Sequence, residues 1–385
     1  MRILFLIAYS KYNGGTEILA ANLFKSLQTR GCECLLMSNN KFITTDEYKI
    51  TFPEVEYSRY NHIKAQPWDK LLGGRFSNRV MRRMIEAAAL ENKIDWIICH
   101  TYGYQAALPV SQQFKTIQVI HWSIKGFESS ILNSIRNKSL PQRLISWFAY
   151  YFNVKSWHRG LERVDKIALL TDNAHHEIRA LNPRIKDSQL VTIPDPLMQT
   201  SDSRNISSLQ NKSVVFIGRL SAEKGVIRLL NIWKQIQSKM PDYNLNIYGE
   251  GQEQTNMEEY IKAHGINGVS FKGFEKNLER IYTHADLCLM TSDTEGFGMV
   301  LIEAMYYGVP CVSFDCPVSP KEIIADAGVT VPCFDEDAYA GAVVGLLKDP
   351  ERMKDLQKKS IERARDFYVD KVIDKWMALL YDKAK

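Results

Sequence analysis

The chain has 385 residues, of which 45% are hydrophobic, 24% charged and 11% aromatic. This is the composition of an ordinary globular protein, and at roughly 150 residues per domain the length predicts two or three domains rather than one small binding module. The seven cysteines include no Cys-x-x-Cys pair, so the sequence supports neither a disulfide framework nor a zinc ribbon.

The net charge of +5 is unevenly distributed along the chain. The first 200 residues carry 26 basic and 17 acidic side chains, whereas the rest carry 23 and 27. A basic half can face nucleic acid, anionic lipid or a phosphorylated substrate, and the charge alone does not choose among them. No apolar stretch approaches the roughly 18 residues of a membrane-spanning helix, and Ile3–Ala8 is too short for a signal-peptide core. We therefore expect a cytoplasmic protein.

Short apolar runs alternate with helix-length segments along the whole chain, which is typical of parallel-sheet βα units. The predicted strands of the first half are Ile3–Ala8, Glu33–Met37, Trp96–His100, Ile117–His121, Ile167–Thr171 and Val191–Pro194. Those of the second half are Val214–Gly218, Leu245–Gly249, Val269–Gly273, Leu287–Thr291, Cys311–Asp315 and Val329–Pro332. The pattern predicts an α/β protein with two doubly wound parallel sheets in tandem.

A polar stretch at Met198–Asn211 separates the two series of strands, and we place the hinge there. At the other end of the second series, a helix at Glu351–Asp366 is followed by an amphipathic segment, Tyr368–Tyr381. One face of this last segment is apolar, with Val372, Trp376, Leu379 and Leu380. We expect another part of the protein to cover that face.

Two loops that follow predicted strands carry glycines or cations suited to an anion. In open parallel sheets, ligands bind beyond the carboxyl ends of the strands, where loops meet helix N-termini. Gly14-Gly15 opens the first helix and lets backbone N–H groups approach a ligand, although a plain turn is the commoner explanation. Arg219 and Lys224 lie five residues apart in the second loop and suit a diphosphate. A cation is unfavourable near the positive end of a helix dipole, which favours function over a solvated loop.

A third loop, Glu295-Gly296-Phe297-Gly298, leads into a helix that carries Glu303 about one and a half turns inside. Exposed N–H groups at the glycines can hold phosphate or sugar oxygens, and the two carboxylates can accept hydroxyl hydrogens of a polyol. Glu303 lies among apolar residues and needs a partner. The alternative to a ligand contact is a salt bridge to a core arginine.

His100 and His121 end strands of the first half. We favour a satisfied buried ring for His100, and leave both a buried ring and a substrate contact open for His121.

Several well-defined motifs are absent from the sequence. It has no Gly-x4-Gly-Lys-[Ser/Thr] P-loop and no Gly-x-Ser-x-Gly nucleophile elbow. Gly249-Glu250-Gly251 lacks the third glycine of a dinucleotide fingerprint, which disfavours hydride chemistry. The acidic run at 335–337 fits capping of a helix better than a metal clamp. We therefore expect no cofactor and no required metal.

Taken together, the motifs closely resemble those of the family 4 glycosyltransferases, retaining enzymes of the GT-B fold. The resemblance spans nearly the whole chain and rests on Gly14-Gly15, Gly218-Arg219-Leu220 with Lys224-Gly225, Tyr248-Gly249-Glu250-Gly251 and Glu295-x7-Glu303. It implies two Rossmann-like domains facing a central cleft. The N-terminal acceptor-binding domain would span 1–196, the nucleotide-sugar-binding domain 197–366, and a final helix at 367–385 would cross back onto the N-terminal domain.

The resemblance also implies a role for each motif residue. The catalytic set would be Glu295, His121, Arg219 and Lys224: the two cations bind and stabilise the leaving diphosphate, while Glu295 and His121 contact the donor sugar. Further nucleotide-sugar contacts would come from Gly15, Gly218, Gly249, Phe274, Glu303 and the N–H groups of Phe297, Gly298, Met299 and Val300. Among these, Glu303 would hold the ribose hydroxyls.

The segment from Phe314 to Ile324 is similar to that of members which build bacterial surface glycans, often on polyprenyl-diphosphate carriers. It departs from them at Val318-Ser319, where Gly-Pro is usual. The expected activity is transfer of a hexose or N-acetylhexosamine from a nucleotide sugar, with UDP as the expected nucleotide, to a glycan or polyprenyl-diphosphate-linked sugar. The alternatives are another GT-B enzyme, such as a nucleotide-sugar 2-epimerase or a glycan phosphorylase, and a non-catalytic nucleotide-sugar-binding subunit.

Basic and aromatic residues alternate between Phe127 and Arg163, and Arg75, Arg79, Arg82 and Arg83 form a second basic group. This mixture suits peripheral contact with an anionic membrane, here the inner face of the plasma membrane. Because Leu144–Phe152 is apolar almost all round, we slightly favour a buried helix with a basic edge over that hypothesis. Nucleic-acid binding has no recognisable module here.

Overall fold

The computed structural model describes residues 1–7, 15–38, 75–101, 104–136, 138–201 and 203–382. The chain divides into two compact units. Unit 1 consists of Met1–Pro194 together with Ile373–Lys385, and unit 2 consists of Asp195–Val372. The division falls two residues before the domain boundary expected at residue 196, and the last thirteen residues group with unit 1.

Unit 1 contains a six-stranded parallel sheet in the order β2-β1-β3-β4-β5-β6. The strands are β1 (Arg2–Ile7), β2 (Glu33–Ser38), β3 (Trp96–Cys99), β4 (Lys115–Ile120), β5 (Lys166–Leu169) and β6 (Leu190–Thr192). Its helices among the described residues are α1 (Gly15–Thr29), α2 (Arg75–Glu91), α3 (Ile124–Arg136), α4 (Leu140–Leu161) and α5 (Asn173–Leu181). The strand order reverses between β1 and β3, as it does in doubly wound folds.

Unit 2 repeats this architecture with a sheet in the order β12-β11-β10-β7-β8-β9. Its strands are β7 (Ser213–Ile217), β8 (Asn244–Tyr248), β9 (Val269–Gly273), β10 (Leu287–Met290), β11 (Cys311–Phe314) and β12 (Gly328–Val331). The helices are α6 (Val226–Lys239), α7 (Gln254–His264), α8 (Leu278–Tyr282), α9 (Met299–Tyr306), α10 (Pro320–Ile324), α11 (Glu336–Leu347) and α12 (Pro350–Ala364). The last helix, α13 (Val369–Tyr381), begins in unit 2 and continues into unit 1.

The predicted fold class and all twelve predicted strands are confirmed. The strands read as continuous apolar runs because helices cover both faces of a parallel sheet, and β10 and β11 are buried at every residue. Several strands end one or two residues before their predicted ends. β4, for example, ends at Ile120, which places His121 in the loop beyond the sheet. Among the described helices, none has the length and hydropathy needed to cross a bilayer.

The apolar face of α13 is covered, as expected. Trp376 and Leu380 are each 4% exposed, and the indole N–H of Trp96 donates a hydrogen bond of 3.0 Å to the carbonyl of Leu380. At the solvent edge of the same helix, Arg30 pairs with Asp374 at 2.8 Å. These contacts place the last part of α13 against β3 and α1 of unit 1.

The cap predicted for α11 is also present, since Asp335 accepts the N–H of Ala338.

The expectation of a buried helix around Leu144–Phe152 is wrong. In α4 only Gly160 and Leu161 are buried, whereas Leu144, Trp147 and Phe148 are 61%, 49% and 52% exposed. A segment that is apolar all round is compatible with a buried helix and with an exposed apolar surface. Partial burial along α4 extends to Ser146, Ala149 and Tyr150, but the side chains of Leu144, Trp147 and Phe148 face solvent.

The loop after β11 holds a β-branched residue in the left-handed region of backbone space, with Val318 at φ 90°. This is the position at which the sequence has valine instead of the glycine usual in the resembling proteins. The backbone therefore adopts a conformation that suits glycine, and valine is held there under strain.

We predict that Val318→Gly stabilises the protein by about 1 kcal/mol, since relief of roughly 1–3 kcal/mol of strain exceeds the entropy that glycine adds to the unfolded chain. The measurement is the free energy of unfolding from urea denaturation. Val110→Gly is the matched control, because Val110 is an exposed loop valine without positive φ and should gain nothing. Equal or lower stability of Val318→Gly than of the parent would contradict the prediction.

Candidate active site at the sheet edge of unit 2

The carboxyl ends of β7 and β10 lie side by side at the centre of the unit 2 sheet. The chain runs from β7 to β8 on one side, and β10 starts the other half of the sheet, so the loops after these two strands diverge. Such a switch point leaves a crevice in which ligands bind. Most of the charged residues predicted for the site follow these two strands.

An ion pair joins the two loops. Nζ of Lys224, from the loop after β7, lies 2.6 Å from Oε1 of Glu295, from the loop after β10. The Ser292 hydroxyl donates to the same oxygen at 2.6 Å, and no described residue bonds Oε2. The Lys224 and Glu295 side chains are 25% and 11% exposed, so water screens the pair only weakly. The structure thus brings two predicted catalytic residues into direct contact.

Backbone contacts fix the separation of these loops. Gly225 has φ 64°, and a Cβ at this position would lie 2.1 Å from the Thr291 carbonyl oxygen, so only glycine fits. The Thr291 hydroxyl donates to the carbonyl of Lys224 at 3.0 Å, and the Asp293 N–H donates to the carbonyl of Glu223 at 2.9 Å. The loops therefore form one rigid platform on which the ion pair is preorganised.

Arg219, the second predicted cation, lies apart from this ion pair. Its side chain is 70% exposed and pairs with Glu223 at 3.0 Å. Burial by itself raises the pKa of Glu223, but hydrogen bonds from Ser221 and its own amide, with the charges of Arg219 and Lys224, outweigh it and lower that pKa. Each predicted cation thus has its own carboxylate partner. Arg219 is exposed enough to reorient toward a ligand.

The N-terminus of α9 lies directly after Glu295 in the chain. Gly298 precedes the helix with φ 88°, and Met299 and Val300 form its first residues. In the part of the chain that the structure describes, no side chain caps this end, so the first N–H groups stay available for an anion beside the positive end of the helix dipole. The Phe297 ring is buried and packs edge-on against Phe367, which anchors the segment.

Glu303 lies on α9 beside Tyr282, whose hydroxyl is 3.5 Å from Oε2 and 3.2 Å from the Val300 carbonyl. Burial raises the pKa of Glu303 to about 7, although the Tyr282 hydrogen bond opposes that shift. In the described part of the chain no arginine pairs with Glu303, so the alternative of a core salt bridge is wrong. A carboxylate with so few partners can accept ligand hydroxyls.

The other predicted nucleotide contacts also lie at this edge of the unit 2 sheet. Gly218 follows β7 and donates its N–H to the Tyr248 carbonyl, and Gly249 follows β8 and donates to Gly273. Phe274 follows β9 with 69% of its side chain exposed. An exposed aromatic ring at a strand end offers a flat apolar surface to a planar group.

Two predicted residues belong to unit 1. Gly15 is the first residue of α1, while Gly14 lies outside the described residues. His121 follows β4, and its Nε2 lies 2.9 Å from Nδ1 of His100, which follows β3. Burial, followed by the proximity of His121, lowers the pKa of His100. His100 is buried, as interpreted from the sequence, and its Nδ1 is partnered by His121, while its buried Nε2 has no partner in the part of the chain that is described.

Sequence reasoning missed Arg228, Ser292 and Cys316. Arg228 donates to Asp293 at 2.7 Å and to the Thr291 carbonyl at 3.1 Å, and thereby supports the loop that carries Glu295. Its position in the first turn of α6 was an available signal, because a cation is unfavourable at the positive end of a helix dipole unless it has a partner. Cys316 had no such signal. It is buried after β11, and burial, with the charge of Glu295, raises the pKa of its thiol.

Among the described residues, no group of three His, Cys, Asp or Glu side chains could hold a metal.

Comparisons with known proteins agree with this geometry. Residues 199–365 match the family model of the glycosyl transferases group 1. A Haemophilus influenzae protein described as an uncharacterized glycosyltransferase is 27% identical over 280 residues, which are 70% of this chain and 76% of that protein.

A second relative covers a shorter part of the chain. The Campylobacter jejuni GalNAc-alpha-(1->4)-GalNAc-alpha-(1->3)-diNAcBac-PP-undecaprenol alpha-1,4-N-acetyl-D-galactosaminyltransferase is 30% identical over 178 residues, 45% of this chain and 49% of that protein. Among solved structures, a mutant of S. aureus TarM in complex with Fondaparinux, alpha-GlcNAc-glycerol and UDP aligns with a TM-score of 0.73 at 14% identity, over 99% of this chain and 100% of that chain. Residues 199–365 are thus similar to the glycosyl transferases group 1, and the paired parallel sheets of the chain match the GT-B fold.

Proposed function

We propose that the protein transfers a hexose or N-acetylhexosamine from a UDP-sugar to a glycan or polyprenyl-diphosphate-linked sugar in bacterial surface polysaccharide synthesis, with retention at the anomeric carbon. The observation that carries the proposal is the Lys224–Glu295 pair beside the uncapped N-terminus of α9. This arrangement combines a cation and N–H donors for a diphosphate with a carboxylate for sugar hydroxyls.

The donor diphosphate is the group that these cations fit best. Glycosyl transfer develops positive charge on the sugar and negative charge on the leaving phosphate. Lys224 is held in place before the donor binds, and Arg219 can swing from Glu223 to a phosphate oxygen. The N–H groups at Phe297–Val300 add a third source of positive potential. With two side-chain cations available, we propose a reaction that requires no metal.

The sugar and ribose would be held by carboxylates. Once Lys224 contacts phosphate, Glu295 can accept donor-sugar hydroxyls, and Glu303 can accept those of the ribose. UDP is supported as the nucleotide because the TarM structure described above was solved with UDP.

The proposed acceptor follows from the substrate of a relative. The Campylobacter jejuni relative is named for an undecaprenol-linked substrate, which supports a lipid-linked acceptor and, with it, peripheral contact with the inner face of an anionic membrane. For retention we propose a front-side reaction in which the departing diphosphate takes the acceptor proton, while His121 contacts the donor sugar. A glycosyl adduct trapped on Glu295 would contradict this pathway.

Three other functions are separable by experiment. A nucleotide-sugar 2-epimerase would turn over without an acceptor, and a glycan phosphorylase would depend on free phosphate. A non-catalytic nucleotide-sugar-binding subunit would bind donor but lose no activity on mutation of Glu295. Thermal stabilisation and donor hydrolysis across a panel of uridine, guanosine and adenosine sugars test the donor; preference for a guanosine or adenosine sugar would overturn the UDP assignment.

We predict that Lys224→Gln lowers kcat for donor hydrolysis or transfer by about 10²–10³-fold, because removal of one preorganised donor to a developing anion has an effect of that size. Glu295→Gln should also lower kcat while UDP still binds. Lys212→Gln is the matched control, since Lys212 is an exposed lysine of unit 2 paired with Asp242. Undiminished turnover in Lys224→Gln would sink the proposed role of the pair.

The pKa of Glu303 predicts a pH dependence of UDP binding. Only the carboxylate accepts both ribose hydroxyl hydrogens, so affinity should rise from pH 6 to a plateau above pH 7, by up to about tenfold per pH unit below the pKa. Calorimetry on the parent and on Glu303→Gln isolates this effect from titration of UDP itself. The two pH profiles should differ; parallel profiles would contradict the assignment.

The same raised pKa gives a second readout in the unliganded protein. A carboxyl with a pKa of about 7 when folded and near 4.5 when unfolded binds more protons in the folded state between these values. Its contribution to stability is therefore present at low pH and is lost as the pH rises from 4.5 through 7. The Tm of the parent should fall relative to that of Glu303→Gln over this interval.

A further inference from the structure

Unit 1 contains a basic cavity that the proposed transfer reaction does not use. It has a volume of about 560 Å³ and is lined by residues of α2 and α4, with Ala106, Glu162, Arg163 and Arg184. Six of the lining side chains are cationic, and one is a carboxylate. The cations are Arg79, Arg82, Lys155, Arg159, Arg163 and Arg184.

Little negative charge in the described residues compensates these cations. Glu162 accepts a hydrogen bond from Asn182 at 3.0 Å and lies 4.0 Å from Arg184. Guanidinium groups of Arg82 and Arg163 both donate to the Ala106 carbonyl, at 2.7 and 3.1 Å. Two positive charges thus share one neutral acceptor.

Arg82 is half-buried and lies close to Arg163. Its Nε is buried and has no hydrogen-bond partner among the described residues. Burial, together with the nearby charge of Arg82, also lowers the pKa of Arg163. A bound anion would relieve the repulsion between the two guanidinium groups.

Helix α4 carries an aromatic surface next to the cavity. Phe148, Phe152, Lys155 and Arg159 follow one another at spacings of three and four residues, so they share one face of α4. The N-terminal part of this face is aromatic and exposed, with Phe148 at 52% and Phe152 at 36%. Phe152 itself lines the cavity, so the aromatic and cationic surfaces are continuous.

From this continuity we propose that the basic cavity of unit 1 binds the phosphate of an anionic phospholipid while the aromatic part of α4 enters the headgroup region of the bilayer. Aromatic rings favour the membrane interface, and each Lys or Arg near an anionic surface strengthens binding. A soluble anion would use the cations but leave the rings in water. This phospholipid contact rests on the proposed function, in which the protein contacts a membrane. All of the residues that line the cavity belong to unit 1.

The test is flotation of the full chain with vesicles of phosphatidylcholine, with or without phosphatidylglycerol. We expect binding to the anionic vesicles only, reduced by added salt. Lys155→Gln with Arg159→Gln, both exposed, should lower partitioning by about tenfold or more, since two charges are removed near the surface. Arg82→Gln with Arg163→Gln should act in the same direction. Lys354→Gln with Lys358→Gln, on the exposed face of α12, is the charge-matched control and should bind as the parent does.

Phe148→Ser tests the aromatic surface and should weaken binding to anionic vesicles without changing stabilisation by inorganic phosphate. Equal loss in the control pair, unchanged binding of the cavity variants, or stabilisation by inorganic phosphate without vesicle binding would overturn the proposal. Melting curves identify any variant that fails to fold, and the exposed Lys155 and Arg159 pair keeps the test decisive in that case. Flotation needs neither donor nor turnover, so its failure is distinct from failure of the proposed transfer reaction.

Discussion

The ion pair between Lys224 and Glu295 depends on two backbone segments that approach each other too closely for a side chain. Gly225 packs against the Thr291 carbonyl, and the Thr291 hydroxyl donates a hydrogen bond to the Lys224 carbonyl. Because these contacts involve main-chain atoms, they set the distance between the loops after β7 and β10 whether or not a ligand is present. The charges are therefore positioned before substrate binds, which is the condition under which electrostatic stabilisation of a transition state is effective.

The two units use the same doubly wound architecture for different purposes. In unit 2 the charged residues lie at the switch point of the sheet, where a glycine-rich loop and a helix N-terminus meet them. In unit 1 the corresponding edge carries the His100–His121 pair, and the basic residues lie instead along α2 and α4. Six basic residues of the first half of the sequence thus line the basic cavity of unit 1. The fold provides the scaffold, and the position of the charges differentiates the units.

Much of the fold was predictable because parallel strands are buried on both faces and read as continuous apolar runs. The same reasoning located Lys224, Glu295 and Glu303, since residues that follow such strands collect at one edge of the sheet. It failed for α4, where an apolar segment such as Leu144–Phe152 carries no indication of whether anything packs on it. It did not reveal the contact between His100 and His121, because a single residue carries no sign of its neighbour in space.

The sequence by itself determined the order of strands and helices, the glycine-rich loops and the charged residues beside them, since these depend on local periodicity and on the residue types that tight turns require. Only the tertiary structure decided that Lys224 pairs with Glu295, that Glu303 titrates near neutral pH and that the aromatic half of α4 stays exposed. These three properties depend on residues distant in the chain, because contact, desolvation and exposure are set by what packs against a group rather than by its neighbours in sequence.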